Sequence, residues 1–274
     1  MRTYAWLSSL RIAGILALLF TFIFTQQLAA QDNATPAYIS IGCFKSKNQD
    51  MNAIAKEIWI PFMTHLQKTG KIMDWMVYRV VSPNGEDCDC DYREVVVHPD
   101  IASLNMFLLE EGMMEAAAVA FPGADLMSMG KRFEAAMTFE GSQTFVMVDG
   151  LTTGKPDNMD LLVVNYMTVP ETNFMDYVEM EIEMFKPFHM ARKEAGILLS
   201  WNLLNRILPF GSEFGGNYMT IDNYGSLERM LTPVPPETWQ KIHPGGNAMV
   251  AYQEVAKLRD LTRSEVWKLT YSLE

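Results

Sequence analysis

Apolar and polar residues alternate along the chain in an order that predicts strands and helices. Over residues 48–69, apolar side chains recur every three or four positions, which predicts an amphipathic helix that Gly70 ends. β-branched and aromatic residues on either side of a Pro-Asn-Gly turn at 83–85 predict a hairpin. The complete first series is strand 37–44, helix 48–69, strands 72–81 and 92–98, a helical region 99–138 broken at 121–123, and strand 144–148.

The same order recurs in the second part of the chain, at a constant offset of 126 residues. Residues 57–85 align with residues 183–211 without a gap, and most matches fall on glycine, proline and tryptophan. This indicates two copies of one structural unit, which we assign to residues 31–150 and 151–274. The second series is strand 161–168, helix 171–195, strands 198–208 and 218–223, helices within 227–241 and 248–260, and strand 264–272.

Each repeat therefore has the β-α-β-β-α-β order of a ferredoxin-like unit, in which both helices cover one face of the sheet. The other face is left bare, and two bare apolar faces in one chain should pack together. The predicted fold class is α+β, with two ferredoxin-like repeats packed sheet to sheet as a pseudo-twofold barrel. We assign to the bare faces Trp75, Val77 and Val81 in the first repeat and Trp201, Leu203 and Ile207 in the second.

Residues 185–201 read FKPFHMARKEAGILLSW. Together with the duplication, this segment resembles the dimeric α+β-barrel superfamily in single-chain form, and within it a group of exported bacterial proteins without an assigned activity. The signature of that group has Trp-Lys-Pro before a helical His and Gly-x-x-x-x-Trp after it. Here Phe185 replaces the tryptophan, and the first repeat has Met63 in the place of His189. The resemblance implies the fold, but its members include haem enzymes, cofactor-free monooxygenases and isomerases, so the activity stays open.

The first thirty residues have the features of an export signal. Arg2 and Arg11 are basic, residues 12–24 form an apolar run, and residues 28–30 are small enough for cleavage. The run is shorter than the roughly 20 residues that span a bilayer. We expect a cleaved signal peptide at 1–30, a periplasmic or extracellular location and no stable membrane span afterwards. The alternative is a retained signal anchor.

The chain is acidic, with a formal net charge of −11. Residues 1–30 hold two arginines and no acid, so the remainder has 20 basic and 33 acidic side chains and a charge of −13. Such a surface repels phosphate backbones, which argues against nucleic acid as a partner. We expect a small-molecule ligand instead. The oligomeric state stays open, because the duplicated chain is already a pseudo-dimer.

Three cysteines allow one disulfide in an exported protein. Cys43 could pair with Cys88 or with Cys90. The run 87–91 could alternatively hold a soft metal, but two thiolates without a neighbouring His are an incomplete ligand set. We therefore expect no metal site.

The candidate site comes from positions at which the second repeat gains polar groups. On the core-facing side of the long helix, Glu181 replaces Ala55 and Arg192 replaces Leu66. Burying such groups in an apolar interface costs several kcal/mol unless they are paired or face a wet cavity. His189 lies one helical turn before Arg192, on the same side. We therefore predict a pocket between the helix and the sheet of the second repeat, with His189 and Arg192 as catalytic residues. The predicted ligand-binding residues are Glu181, Trp201, Asn202, Tyr218 and Asp222.

Each candidate also has a structural interpretation. His189 could be a hydrogen-bonded core residue, Arg192 and Glu181 could reach solvent at the helix flank, and Trp201 could be barrel core. The predicted strands of the second repeat nevertheless gain polarity as well. Asn165, Asn202 and Asp222 stand where the first repeat has Ile39, Met76 and Val96.

No strong catalytic motif is present, whether a nucleophile elbow, a phosphate-binding loop, an H-E-x-x-H helix or a C-x-x-C pair. The first hypothesis is a protein that binds a small apolar or acidic ligand without a cofactor, with oxidative or isomerase-type chemistry as an option and His189 as acid or base. The second is a haem-binding protein with His189 as axial ligand. The third is a non-catalytic interaction domain.

Overall fold

The computed structural model describes residues 38–47, 51–83, 88–151, 160–211, 214 and 216–273. The predicted signal peptide, residues 1–30, lies outside them, as do parts of the turn at 83–85 and of the linker at 149–158. The first half consists of β1 (Tyr38–Ser46), α1 (segments Met51–Ile54, Ala55–Trp59 and Ile60–Lys68), β2 (Asp74–Ser82), β3 (Tyr92–His98), α2 (Ile101–Leu108), α3 (Glu110–Ala120), α4 (Leu126–Ala136) and β4 (Met137–Gly150). The second half consists of β5 (Leu161–Thr168), α5 (segments Glu171–Asn173, Phe174–Met180, Glu181–Phe185 and Lys186–Glu194), β6 (Ser200–Leu208), β7 (Tyr218–Asn223), α6 (Leu227–Leu231), α7 (Glu237–Ile242), α8 (Ala248–Leu258) and β8 (Asp260–Ser272).

Eight strands in the described part of the chain form a closed barrel, in the order β1-β3-β2-β8-β5-β7-β6-β4. Every neighbouring pair is antiparallel, and β4 closes the barrel by pairing with β1. The halves join at two seams, β2 with β8, where Val80 faces Trp267, and β4 with β6, where Val146 faces Asn205. An α+β fold with an antiparallel barrel is thereby confirmed. The two sheets are hydrogen-bonded along both edges, however, where the sequence analysis expected packing of one face on the other.

A buried ion-pair cluster within the mainly apolar barrel connects the halves, with Glu265 paired to both Arg93 and Arg263. Arg93 on β3 donates to Glu265 on β8, with Nη2 2.7 Å from Oε1 and Nε 3.2 Å from Oε2. The Tyr166 hydroxyl and Trp267 Nε1 also donate to Oε2, at 3.2 and 2.7 Å. These bonds compensate for burying the two charges. Around them lie Ile39, Ile41, Met76, Tyr78, Leu204 and Met219.

The predicted orientation of the strands is wrong. Trp75 and Val77 do not line the barrel interior but are buried beneath α1, and Trp201 and Leu203 are buried beneath α5. The interior positions are the alternate ones, such as Met76. Because both faces of these strands are apolar, alternation alone does not tell which face the helices cover. The two further residues assigned to the bare faces, Val81 and Ile207, are partly exposed.

Both long helices contain a widened turn in front of a proline. In α1 the π-helical turn Ala55–Trp59 precedes Pro61, and the backbone N–H of Ile60 bonds to the Ala55 carbonyl five residues back. Proline lacks an N–H, and its ring clashes with the carbonyl four residues earlier, so a wider turn relieves the conflict. The turn Glu181–Phe185 of α5 precedes Pro187 in the same way. The repeated proline thus has the same effect in each half.

The predicted boundaries of β3, β5 and β7 agree with the structure, whereas β4 and β8 are longer than predicted. Each of these strands pairs with one neighbour along its first part and with the other along its last part: β4 with β1 over residues 137–146 and with β6 over residues 144–150, and β8 with β5 over residues 260–268 and with β2 over residues 266–272. Pairing extends β4 through residues 137–143, whose sequence MTFEGSQ lacks a continuous apolar alternation. The long helices begin and end within three residues of the prediction, and Gly70 and Gly196 follow them with φ of 69° and 72°.

Cys43 on β1 forms a disulfide with Cys90 in the segment before β3, with a Cα–Cα distance of 5.3 Å. This settles the pairing that the sequence left open. Cys88 is a buried free thiol, and burial raises its pKa. In the part of the chain that the structure describes, no helix has the length and apolar character needed to cross a bilayer.

Candidate functional site

A cavity of about 450 Å³ lies between the sheet and the helices of the first half. Its floor is the outer face of β1 and β3, and its walls are α1, α2, α3 and α4. This volume is within the usual range for small-molecule sites, about 300–1,000 Å³. Most of the lining is apolar, with aromatic rings from Phe44, Trp59, Phe62, Phe107, Phe121 and Phe133.

Glu94 on β3 places a carboxyl group in this apolar lining. Trp59 Nε1 and Trp75 Nε1 both donate hydrogen bonds to Oε1, at 2.8 and 2.7 Å. Burial raises the pKa of Glu94 to about 7, although the two indole hydrogen bonds act in the opposite direction. Oε2 accepts no hydrogen bond from the described residues, so it is available to a ligand.

Gly42 keeps the open oxygen of Glu94 accessible. It faces Glu94 across the β1–β3 ladder and also lines the cavity. A Cβ at this position would lie 3.4 Å from Glu94 Oε2 and 3.1 Å from the ring of Phe44. A side chain here would therefore press on the Phe44 ring and cover Glu94 Oε2, and glycine leaves this oxygen open to the cavity.

Aromatic packing fixes the indole of Trp59 in its donating position. Its ring centroid lies 5.1 Å from that of Phe44, 5.4 Å from Trp75 and 5.3 Å from Phe133, each at an angle near edge-to-face. Trp59 ends the π-helical turn of α1, so the proline-induced widening places it. The carboxyl group is therefore held on one side by two rigid donors.

In the second half, the predicted residues His189, Arg192 and Asp222 meet beneath α5. Arg192 Nη1 donates to His189 Nδ1 at 3.0 Å, and Arg192 Nη2 donates to the hydroxyl of Tyr224. Asp222 Oδ1 lies 3.7 Å from both His189 Nδ1 and Arg192 Nη1. The amide of Asn165 donates to Asp222 Oδ2 at 3.3 Å. The sequence comparison thus finds residues that the fold brings together.

Burial controls the charge states of this cluster. Burial and, to a smaller extent, the charge of Arg192 together lower the pKa of His189 to about 3, so the ring is neutral near pH 7. Burial raises the pKa of Asp222 to about 6, against the effects of Arg192 and Asn165. The His189 ring stacks on Trp201, with centroids 5.1 Å apart and planes 14° apart. Asp222 Oδ1 and Arg192 Nε are buried without a hydrogen-bond partner in the described structure.

The other predicted residues lie around this cluster or away from it. Glu181 is buried near Tyr177, and its pKa is raised to about 7, mainly by burial. Tyr218 is on the same helix-covered face, with its ring 5.1 Å from that of Tyr177. Asn202 alternates with Trp201 along β6, so it points to the opposite face of the sheet, where its side chain lies close to Gly150. Asn202 is therefore not brought together with His189.

The space that corresponds to the cavity is filled in the second half. Trp239 from α7 is buried there, and its ring lies 6.0 Å from Phe185 and 5.4 Å from Phe188, the counterparts of Trp59 and Phe62. His243 packs on its other side at 4.6 Å. At least three further cavities lie among the described residues, and His189 and Arg192 line none of these four.

The sequence comparison does not identify Glu94, because it considers only positions at which the second repeat gains polarity. Glu94 is polar in the first repeat and aligns with Thr220 in the second. It shares a strand face with Val96, the counterpart of Asp222. The signal for Glu94 in the sequence is a charged residue in the first repeat that the second repeat lacks. Each half therefore carries one acidic side chain on the helix-covered face of its third strand, Glu94 in the first and Asp222 in the second. When the repeats are aligned, these two positions differ by two residues.

Within the described ranges, no group of three His, Cys, Asp or Glu side chains is placed to hold a metal ion. No protein-family model matches the sequence. No curated protein matches it either.

Solved structures share the architecture at low identity. A candidate monooxygenase from Fusobacterium nucleatum is 9% identical, with a TM-score of 0.53 over 88% of this chain and 94% of that one. A mutant chlorite dismutase from Candidatus Nitrospira defluvii is 10% identical, with a TM-score of 0.49 over 86% and 92%. A haem-binding protein from Thermus thermophilus is 10% identical, with a TM-score of 0.43 over 86% and 92%. The resemblance to dimeric α+β-barrel proteins is confirmed for the fold, and at this identity it concerns the fold alone.

Proposed function

We propose that the protein binds a small, largely apolar molecule in the cavity of the first half, and that Glu94 recognises its one polar group. The observation that carries this proposal is the carboxyl group itself. Two tryptophans fix one oxygen, and the other oxygen is open in an otherwise apolar cavity. Pockets with few convergent polar groups and a shifted pKa are typical ligand sites.

The chemistry of this site is proton exchange. With a pKa of about 7, Glu94 is available both as acid and as base near neutral pH. As a base it would take a proton from a hydroxyl group or from a carbon next to a carbonyl. Cofactor-free oxidative and isomerase-type reactions both begin with such a step. A positioned carboxyl group typically contributes about 10²–10⁴-fold to the rate.

The cluster around His189 and Arg192 offers no comparable space for a ligand, because Trp239 fills the interface beneath α5. Arg192 has a structural role in this proposal, as the cation beside the buried carboxyl group of Asp222.

The haem alternative is not favoured by the geometry at His189. Arg192 donates to Nδ1 of this ring, one ring face stacks on Trp201, and the side chain lines none of the four cavities. An axial ligand needs a free nitrogen facing a space that holds the macrocycle. A Soret shift on haem titration that His189→Ala abolishes would reverse this conclusion.

Export and duplication are further parts of the proposal. The disulfide between Cys43 and Cys90 supports an oxidising compartment, and N-terminal sequencing of the mature protein would test cleavage after residue 30. The matching element order and the two proline-linked π turns support two ferredoxin-like repeats, 31–150 and 151–274. An experimental structure in which the halves fail to superpose would contradict this duplication.

The binding proposal can be tested with naphthalene and 2-naphthol, which differ by one hydroxyl group. Binding of either by the wild type is measured through ligand fluorescence at pH 8. Glu94→Gln should weaken 2-naphthol binding about tenfold, because a hydrogen bond to a charged group contributes roughly 1.5–3 kcal/mol. Naphthalene affinity should change by less than about threefold, because it offers no such bond.

Two further variants act as controls. Ala117→Phe enlarges a side chain of the cavity lining and should abolish binding of both molecules. Asp222→Asn changes the acid on the third strand of the second half and should leave both affinities unchanged. Failure of the wild type to bind naphthalene, or full binding by Ala117→Phe, would overturn the proposal. The non-catalytic interaction domain would then be the remaining hypothesis.

A further inference from the structure

A chain of three hydrogen-bonded side chains connects the floor of the cavity with α2. His98, at the end of β3, is completely buried. Its Nε2 lies 2.9 Å from Ser40 Oγ, and its Nδ1 lies 3.0 Å from Ser103 Oγ. The Ser103 hydroxyl is in turn hydrogen-bonded to the backbone carbonyl of Lys71. The proton exchange proposed for Glu94 makes no use of these groups.

The direction of these hydrogen bonds fixes the tautomer of His98. A carbonyl oxygen only accepts, so the Ser103 hydroxyl donates its proton to Lys71. Ser103 Oγ then accepts from His98, which places the ring proton on Nδ1. Nε2 therefore carries the lone pair and accepts the proton of the Ser40 hydroxyl. A nucleophile, a base and a group that orients the base are thus arranged as in nucleophilic catalysis.

Ser40 presents this hydroxyl group to the cavity. It lines the cavity on β1, and its side chain is only partly buried. Burial lowers the pKa of His98 to about 4, although the charge of Asp100 raises it. The imidazole is therefore neutral near pH 7 and a weak base, and Nε2 keeps the lone pair that accepts the proton of Ser40.

We propose that Ser40 is a nucleophile that accepts an acyl group from an activated ester bound in the cavity. His98 is its general base, and Ser103 is a positioning residue that holds the imidazole in the productive tautomer. This inference rests on the proposed function, because the acyl chain occupies the same apolar space.

The reaction balances without a cofactor. Ser40 Oγ forms a bond to the ester carbonyl carbon while its proton moves to His98 Nε2. The bond between this carbon and the leaving oxygen then breaks, and the leaving group takes the proton from His98 as an alcohol or phenol. Water hydrolyses the acyl-serine in a second cycle, returning the proton to Ser40 and releasing a carboxylic acid.

The orienting group limits the range of substrates. The partner of His98 Nδ1 is a neutral hydroxyl, which stabilises the developing imidazolium less than a carboxylate would. A weak base suffices only when the leaving group is good. Phenyl esters are therefore expected to react and amides are not.

The probe is p-nitrophenyl butyrate, and the full chain is incubated with it at pH 7.5. The wild type should release p-nitrophenol in a burst and gain one butyryl group, located at residue 40 by peptide mass spectrometry. Ser40→Ala should lose both signals, and His98→Gln should acylate at least tenfold more slowly. Ser103→Ala should also be slow, and Ser103→Thr, which keeps the hydroxyl group, should recover most of the rate.

Ser128 provides the control for non-specific acylation, because it is an exposed serine of α4 outside the cavity lining. Ser128→Ala should react like the wild type. Naphthalene binding by every variant shows that the cavity is intact and that the variant has folded. A wild type that binds naphthalene but is not acylated at Ser40 overturns the nucleophile and leaves the binding proposal standing. A wild type that does not bind naphthalene overturns the binding proposal itself.

Discussion

The helix–sheet interfaces of the two halves are built from matching strands and long helices, but the first contains an open cavity and the second is filled by side chains. In the first half, Glu94 borders an open cavity and is held by two indoles. In the second half, Trp239 fills the corresponding space, and the buried charges of Arg192 and Asp222 lie near each other. The barrel and the long helices are common to both, so the contents depend on the shorter helices that complete each half. A duplicated fold can therefore keep one site open and fill the other without changing its framework.

Trp239→Ala should have the largest effect on stability. Removing a large buried aromatic side chain costs about 3–5 kcal/mol, because the surroundings close the space only partly. The free energy of unfolding, measured with urea, should fall by this amount. Phe121→Ala, at the wall of the existing cavity, should cost less than half as much, since that side chain is only partly buried. Equal losses would mean that the two interfaces are filled to the same extent.

Arg192→Leu gives the second half the residue that the first half has at this position, Leu66. It leaves Asp222 buried without its cation and should cost about 3 kcal/mol at pH 7. The double variant Arg192→Leu/Asp222→Val also restores the counterpart of Val96, and it should recover most of this loss. Urea unfolding of the two single variants and the double variant measures the coupling. Additive losses would show that the two charges do not stabilise each other.

Glu94→Gln should reveal a pH dependence. The folded pKa of Glu94 is about 7 and its ordinary value is 4.5, so folding favours the protonated form. The wild type therefore loses stability as the pH rises from 4.5 through 7, by about 2–3 kcal/mol for this group, since one pKa unit corresponds to about 1.4 kcal/mol. Glu94→Gln lacks this loss, and its stability relative to the wild type should increase by that amount between pH 4.5 and 8.

Glu181→Gln is the matched control in the second half. Burial also raises the pKa of Glu181 to about 7, so this variant should show the same trend in urea unfolding. Only Glu94→Gln should also alter 2-naphthol binding. The difference in unfolding free energy between Glu94→Gln and the wild type could instead stay constant between pH 4.5 and 8. That result would show that the carboxyl group of Glu94 is solvated in the folded protein.

Much of the framework could be predicted from the sequence, because glycine, proline and tryptophan constrain the backbone and recur at one offset. The orientation of the strands could not, because Trp75 and Met76 are both apolar and alternation gives no preference for either face. The buried cluster of His189, Arg192 and Asp222 could be predicted, since polar residues on an apolar helix face need partners. The cavity could not, because its existence depends on whether distant helices supply a side chain such as Trp239.

Gly130→Ala should have the smallest effect and should be stabilising. Gly130 lies within α4 at the rim of the cavity, and an added Cβ would meet no atom within 4 Å. Alanine restricts the unfolded chain and favours the helix, so the free energy of unfolding should rise by about 0.5–1 kcal/mol. Gly123→Ala is the control, because this glycine has a φ of 78°, and alanine there should cost about 1 kcal/mol. Naphthalene affinity should stay the same in Gly130→Ala. Loss of stability or of affinity would mean that α4 needs this glycine to close over the ligand. The binding cavity of the first half would then be less preformed than the structure indicates.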